Sequence, residues 1–301
     1  MAHIESPKLS VVSFCLNSGR FLKDSIESVF KQTYDNYEHI IIDGGSTDNT
    51  VEIFKEYSHL RWVSEKEEGD NSVLDAIWKG FNMAKGEYVI LLAISDGIYD
   101  TDWFKKSVEI LDTDDQVSAV WGLSQAISEK GHHGKVFCSE YLENHPPQKM
   151  DWLPFWLSTG HGFESNAVYR RNVFEICFPK NHPDEPYRYH PTLGFNYQLN
   201  IKGYLPYFLP IISYYGRIHK NQRQEQIHDL LDSVSKVYDK ERKSYRRKFL
   251  SGKIGHCFRD GSSKIIREVI PDELSSYKRK VWRYRIKHKI RRDVQKFLDH
   301  I

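Results

Sequence analysis

Two short stretches of this chain carry acids where acids can do chemistry. In the first, Glu38-His39-Ile40-Ile41-Ile42-Asp43-Gly44-Gly45-Ser46-Thr47-Asp48-Asn49-Thr50, an apolar run ends in a carboxylate, two glycines and a hydroxyl pair. In the second, the apolar run 87–93 ends in Ile94-Ser95-Asp96-Gly97-Ile98-Tyr99-Asp100. Apolar runs without polar alternation read as buried parallel strands. Ligands of open α/β sheets bind in the crevice beyond the carboxyl ends of such strands. Asp43 there meets the polar edge of a base or a ribose hydroxyl. Asp43 and Asp96 on one edge would repel a phosphate unless a divalent cation stood between them, and Mg2+ or Mn2+ is the natural bridge from carboxylate to diphosphate. The same Asp43 and Asp48 serve equally as turn and cap residues, with Ser46 or Thr47 capping a helix from about Thr50 to Tyr57.

The elements that must position these acids follow in order. Strands are predicted at 8–15, 37–43, 60–64, 87–93 and 116–122. Helices are predicted at 20–32, 50–57 and 73–85; the first sets Phe21, Leu22, Ile26, Val29 and Phe30 on one face. Alternation of strand and helix predicts an α/β fold with a doubly wound, mostly parallel sheet. The 301 residues, 40% hydrophobic and 14% aromatic, are enough for a substantial core. The formal net charge is only +2, but basic residues crowd the last sixty or so positions. Four scattered cysteines without a C-x-x-C pair argue against a zinc cluster and a disulfide framework. With no bilayer-length apolar run and no signal-peptide pattern, the expected setting is cytoplasmic.

Several motifs then fall in a telling order: Ser-Val-Val-Ser-Phe-Cys-Leu-Asn at 10–17, Ser-Ile-Glu-Ser-Val-Phe-Lys-Gln-Thr-Tyr at 25–34, Ile-Ile-Ile-Asp-Gly-Gly-Ser-Thr-Asp-Asn-Thr at 40–50, Lys-Gly-Glu-Tyr-Val-Ile-Leu-Leu at 85–92 and Ser-Asp-Gly-Ile-Tyr at 95–99. Together they resemble the inverting GT-A glycosyltransferases of family 2, in the branch that builds bacterial surface polysaccharides and lipopolysaccharide. The resemblance is strong over about residues 8–105 and traceable to about 222. It implies a GT-A type sheet and transfer of a sugar from a nucleoside diphosphate, UDP foremost, with Mn2+ or Mg2+. It further implies donor contacts at Phe14, Leu16, Asn17, Asp43, Gly44, Asp75, Ser95 and Asp96, with Asp96 as metal ligand. Gly44 stands where relatives often carry a second acid, Ile94 and Ser95 replace polar or acidic residues, and Trp78 replaces an asparagine.

Further along, the resemblance implies an acceptor side. His161 and Trp156 are candidate acceptor contacts, since aromatic faces pack on sugar rings; ordinary packing is the alternative for the tryptophan. Relatives carry a general-base aspartate on the helix after Asp184-Glu185-Pro186-Tyr187-Arg188. Here that position falls on Gly194, with no acid adjacent. Asp184, Glu185, His190 and Glu164 are the substitute candidates for deprotonating the acceptor hydroxyl. Arg217 and His219 match a closing Arg-x-His segment, which implies that His219 completes the metal shell or touches the diphosphate and that Arg217 neutralises leaving-group charge. His132 and His133 read as solvated residues of a hairpin tip.

The expected division is a catalytic domain over 1–222 and a basic helical extension over 223–301. The extension interleaves Lys and Arg with Val281, Trp282, Tyr284, Ile286, Ile290 and Val294. Such a helix suits an anionic membrane surface, and a lipid-linked or other saccharide acceptor would be found there. Packing on the catalytic domain or on the twin subunit of a homodimer is the alternative. No nucleic-acid recognition motif accompanies the charge. The rival functions are a nucleotidyltransferase, for which Leu-Asn-Ser-Gly-Arg at 16–20 is a poor phosphate loop, and a nucleotide-sugar-binding module of weak catalysis, motivated by Gly194.

Overall fold

A computed structural model describes residues 6–66, 72–137, 147–162, 166–180, 182, 185–220 and 227–298. Strands β1 (Leu9–Cys15), β2 (Tyr37–Asp43), β3 (Leu60–Ser64) and β4 (Tyr88–Ala93) form a parallel half-sheet in the order β3-β2-β1-β4. Helices α1 (Gly19–Phe30), α2 (Thr50–Phe54) and α3 (Ser72–Met83) make the crossovers. A short β5 (Gly97–Ile98) leads into α4 (Trp103–Thr113). The sheet continues with β6 (Val117–Ser128), β7 (His133–Phe137), β8 (Val168–Arg170) and β9 (Leu205–Ile218) into nine strands, ordered β3-β2-β1-β4-β8-β6-β9-β5 with β7 paired to β6. Here the pairing is mixed: β8 is antiparallel to β4 and β6, whereas β9 is parallel to β6. Helices α5 (Trp152–Thr159), α6 (Arg171–Cys177) and α7 (Pro191–Ile201) lie between these strands in sequence, and α8 (His228–Leu250) and α9 (Leu274–Leu298) follow them.

The strand period of two sorts the core. Ile40 and Ile42 of β2 join Val12, Leu74, Ile77 and Phe81 on one face, and Ile41 joins Leu22, Ile26, Ile53 and Phe54 on the other. Leu9, Val11, Ile90 and Leu92 meet Trp103, Phe104 and Val108 under α4. Being covered on both faces, β2 reads as a continuous apolar run rather than an alternating one. The first core also takes in Phe249, Phe258, Tyr277 and Val281, so the segment after 222 shares a core with the sheet.

That segment is not wholly helical as expected. Between α8 and α9 a two-stranded ribbon, β10 (Cys257–Arg259) and β11 (Ile265–Glu268), turns through Asp260 to Lys264. Asp260 Oδ1 accepts from the backbone N–H of Ser262 and Lys264 and from the Ser262 hydroxyl, all within 2.9 Å. The Asp-Gly-Ser-Ser tetrad thus builds an Asx turn in which a helix cannot continue. The turn docks on the sheet domain: Gly261 N–H donates to Asp115 O at 2.7 Å and Asn172 Nδ2 to Gly261 O at 2.8 Å.

Candidate active site

The loops after β1 and β2 are laced together by side chains. Asn17, at φ 49°, accepts the Thr47 N–H at Oδ1 (2.8 Å), and its own N–H donates to Ser46 Oγ (2.7 Å). Asp48 accepts from Gly19 N–H and Thr50 N–H, each at 3.0 Å, and from the Thr50 hydroxyl at 2.5 Å. Asp48, rather than Ser46 or Thr47, therefore satisfies the start of α2. Those bonds offset burial and hold its carboxyl below the usual carboxylate range. Gly45 is left-handed at φ 83°, and a Cβ there would lie 2.9 Å from Lys66 Cα. Phe14 is half-buried at the end of β1, whereas Leu16 is 59% exposed and lies over Gly44.

Asp43 is fully buried. Its Oδ2 accepts from Ser46 N–H (2.9 Å) and Ser64 Oγ (2.6 Å), and its Oδ1 from the Ser46 hydroxyl and more distantly from Cys15 Sγ (3.5 Å). The carboxylate thus leans toward β3. Asp96 leans the other way, toward β9. Tyr214 OH donates to its Oδ2 at 2.8 Å, the Arg217 N–H to its Oδ1 at 3.0 Å, and Ser95, strained at φ 134°, to Oδ1 at 3.2 Å. Burial pushes the Asp96 carboxyl upward despite these donors. The two acids share the carboxyl edge, because Cys15 registers with Asp43 and Phe14 with Ala93. Each is hydrogen-bonded to its own surroundings, Asp43 to Ser46 and Ser64 and Asp96 to Tyr214 and Arg217.

Arg217 is likewise drawn inward. Its guanidinium is buried, donating to Ser95 O (3.1 Å), Glu129 O (3.3 Å) and Asp24 Oδ2 (2.8 Å), and lies 4.8 Å from the Phe21 ring centroid. The expected diphosphate contact is replaced by a positioning role: the fork clamps the Ser95–Asp96 turn to α1 and β9. His219 packs on the other partner of that clamp, with its ring 5.0 Å from Phe21. Burial lowers its pKa, keeping a neutral imidazole available as a ligand. Among the described residues no three His, Cys, Asp or Glu side chains are grouped to hold a metal. A carboxylate such as Asp96 and a neutral imidazole such as His219 are both donor types that a divalent cation accepts. Asp75 stands in the first turn of α3, near the same edge, with its pKa raised by burial.

On the acceptor side, Gly194 is a packing glycine. A Cβ there would lie 2.6 Å from Tyr187 Cβ and 2.7 Å from Pro179 Cγ. No aspartate fits without moving the turn over α7. That turn bears Glu185, whose Oε1 accepts the Tyr187 N–H at 3.1 Å. Glu185 is half-buried, and its pKa is raised first by burial and further by the charge of Glu241 on α8. The Tyr187 hydroxyl donates to Glu241 in a short contact. His190 precedes α7 and is kept neutral by burial.

His161 follows the left-handed Gly160 and packs 5.8 Å from Phe155 and 5.9 Å from Trp121. Burial lowers its pKa to about 4. Trp156, expected against an acceptor, is a core residue instead: it is 0% exposed and its Nε1–H donates to Tyr238 OH at 2.7 Å. Asp184 and Glu164 lie outside the described residues. A hollow of about 670 Å3 opens beside Gly160, Leu193 and Tyr238, walled by Lys236, Lys240, Lys243 and Arg247 of α8.

The sequence model of Glycosyl transferase family 2 matches residues 10–178, more than half of the chain. The chain belongs to this family. Curated relatives include an uncharacterized glycosyltransferase of Haemophilus influenzae, 26% identical over 186 residues (59% of this chain, 57% of that protein). Another is a PGL/p-HBAD biosynthesis glycosyltransferase of Mycobacterium bovis, 27% identical over 179 residues (58% and 64%). The chain thus spans somewhat over half the length of these relatives. Among solved structures, S. aureus TarS in complex with UDP is 19% identical at a TM-score of 0.53, over 77% of this chain and 65% of that one. The mannosyltransferase PcManGT of Pyrobaculum calidifontis, in complex with GDP-Man and Mn2+, is 17% identical at a TM-score of 0.55, over 77% and 64%. The fold is therefore of the GT-A type, with a helical carboxyl-terminal segment.

Glu241, which touches Tyr187 and acts on the Glu185 carboxyl, is one neighbour of the candidate residues that sequence reasoning missed. It lies in Asp239-Lys240-Glu241-Arg242-Lys243, where a charge run on a helix reads as solvated. Its contact with Tyr187 spans 54 positions. No local signal marks it out. Ser64 as a partner of Asp43, and Tyr214 as a partner of Asp96, were hidden for the same reason.

Proposed function

We propose that this chain transfers a sugar, with inversion, from a nucleoside-diphosphate donor to a saccharide or lipid-linked acceptor in surface-polysaccharide synthesis. The observation that carries the reading is Asp96, a half-buried carboxylate beside the strained Ser95 at the carboxyl edge of a family 2 sheet. TarS with UDP-GlcNAc and PcManGT with GDP-Man and Mn2+ support a nucleotide-sugar donor and a divalent metal. The nucleoside lies over the β1 and β2 loops, among Phe14, Leu16, Asn17 and Gly44, with Asp75 from α3. Asp43 holds this surface in shape from below. Asp96 and His219 would hold Mn2+ or Mg2+, which would supply positive charge against the departing diphosphate. Arg217 fixes the turn that presents Asp96.

Glu185 takes the proton of the acceptor hydroxyl. Its raised pKa suits a base poised toward neutrality, and the displaced Glu241 carboxylate keeps it so. The acceptor lies in the hollow beside Leu193 and Gly160. In this scheme residues 1–222 do the chemistry and 223–301 complete the acceptor wall.

Gly194 favours a second reading, a binding module with little turnover. Thermal-shift screening against UDP-, GDP- and dTDP-sugars, with and without Mn2+, and a parallel assay of donor consumption separate the two. A metal-dependent shift with transfer supports the enzyme. A shift without transfer or hydrolysis supports the module, and no shift with any donor overturns both.

A further inference from the structure

Helix α9 has two apolar faces, and only one is covered. Tyr277 and Val281 are 5% and 3% exposed, and Tyr284 sets its ring edge-on to Phe155 at 5.6 Å. Lys280 pins this side to Asp151 at 2.7 Å. Trp282, Ile286, Ile290 and Val294 are 63%, 37%, 56% and 52% exposed. At about 100° per residue, steps of four turn only about 40°, so these four form a slowly winding ridge. The ridge points away from the packed face. Arg285, Lys289 and Arg292 flank it on one side and Arg283 and Lys287 on the other, all exposed. Scattered surface apolar residues are ordinary, but an aligned ridge with a tryptophan at its head is not. At its root, Arg246 of α8 has its pKa lowered, first by burial and then by Arg285, Arg242 and Arg247. Positive charge is therefore concentrated where the two helices meet.

We propose that α9 lies in the interface of an anionic lipid membrane, with the Trp282–Val294 ridge among the acyl chains and the flanking cations on the headgroups. Charge decides the occupant. Between Lys278 and Lys296 the one acid is Asp293, against ten Lys and Arg. A second copy laid symmetrically on the ridge would bring these flanks against one another. A phosphate backbone would satisfy the cations and leave the ridge in water. Anionic lipid satisfies both. No helix among the described residues is long and apolar enough to cross a membrane, so the contact is in-plane. The proposal deepens the reading of a lipid-linked acceptor, because it would set the acceptor hollow beside α8 near the surface where such acceptors reside.

The test is co-sedimentation of the full chain with phosphatidylcholine vesicles with and without phosphatidylglycerol, at low and high salt. Trp282→Glu/Ile290→Glu and Arg283→Glu/Lys287→Glu/Lys289→Glu are run beside it. The expected result is binding to anionic vesicles alone, weakened by salt, and reduced about tenfold or more by either variant. Unchanged melting of both variants, whose altered side chains are exposed, shows the fold intact. Any of three results overturns the proposal: no sedimentation of the native chain, native-like binding by the ridge variant, or a native dimer by light scattering that the ridge variant splits. Donor binding by the ridge variant is measured separately. It persists if only the docking idea fails and is lacking in the native chain if the transferase reading fails.

Discussion

The donor edge and the acceptor side of this molecule are built on opposite plans. At the proposed donor edge the acids sit at the ends of parallel strands; Asp43 and Asp48 take short-range loop bonds from Ser46 and Thr50, and only Asp96 is held mainly from afar, by Tyr214 and Arg217 of β9. At the acceptor side the groups come from elements far apart in the chain: Tyr187 meets Glu241, and Trp156 meets Tyr238. On the proposed function, the first plan would fix the diphosphate chemistry and the second would leave the acceptor free to differ. A glycine at the expected base position is tolerable only on the second plan, where a carboxylate can arrive from another turn.

This contrast can be broken by substitution. Asp96→Asn should lower transfer by about three powers of ten while melting stays near the native value, since Asn keeps the shape and loses the charge. Activity within a few fold of native would remove Asp96 from the metal site. Glu185→Gln should lower kcat by about a hundredfold or more with little change in donor affinity. A kcat left intact would return the base to Asp184, Glu164 or His190. Glu241→Gln should shift the acid limb of the pH–rate profile downward, because the nearby negative charge that raises Glu185 is gone. A static profile would show that the two carboxylates do not communicate.

Stability sharpens the same contrast. His39, wholly buried against Ser13 Oγ at 2.8 Å, has its pKa lowered to about 3, by burial first and His59 second. The unfolded chain, with an ordinary histidine value near 6.5, binds a proton that the folded chain refuses. Stability is therefore full above pH 6.5 and falls as pH drops toward 3, by up to about 4 kcal/mol from this residue. Urea titrations of the native chain and His39→Gln should converge as the pH falls; parallel curves would contradict this. Gly194→Ala should cost about 1–3 kcal/mol from the clash with Tyr187 and Pro179, and a neutral effect would show that the turn yields.

The donor half was legible because local rules govern it. Unbroken apolar runs gave β1, β2 and β4, and the Gly-Gly turn gave the loop after Asp43. What those acids touch was not legible, because Ser64, Tyr214 and Arg217 arrive from other strands. Burial misled in two places. Trp156 resembles a sugar platform in sequence and is core in the fold, and Arg217 resembles an anion contact and is a clamp. The ribbon β10–β11 escaped because its strands are too short to show a period, although Asp260-Gly261 announced the turn.

The most direct test of the account is calorimetric titration of nucleoside-diphosphate sugars into the native chain and Asp96→Asn, with Mn2+ and with chelator. The account predicts saturable binding of one donor to the native chain, weakened by at least about tenfold when either the metal or the Asp96 charge is removed, with no further loss when both are. Binding that ignores both, or no binding by any donor, would contradict a cation-assisted diphosphate site at this sheet edge.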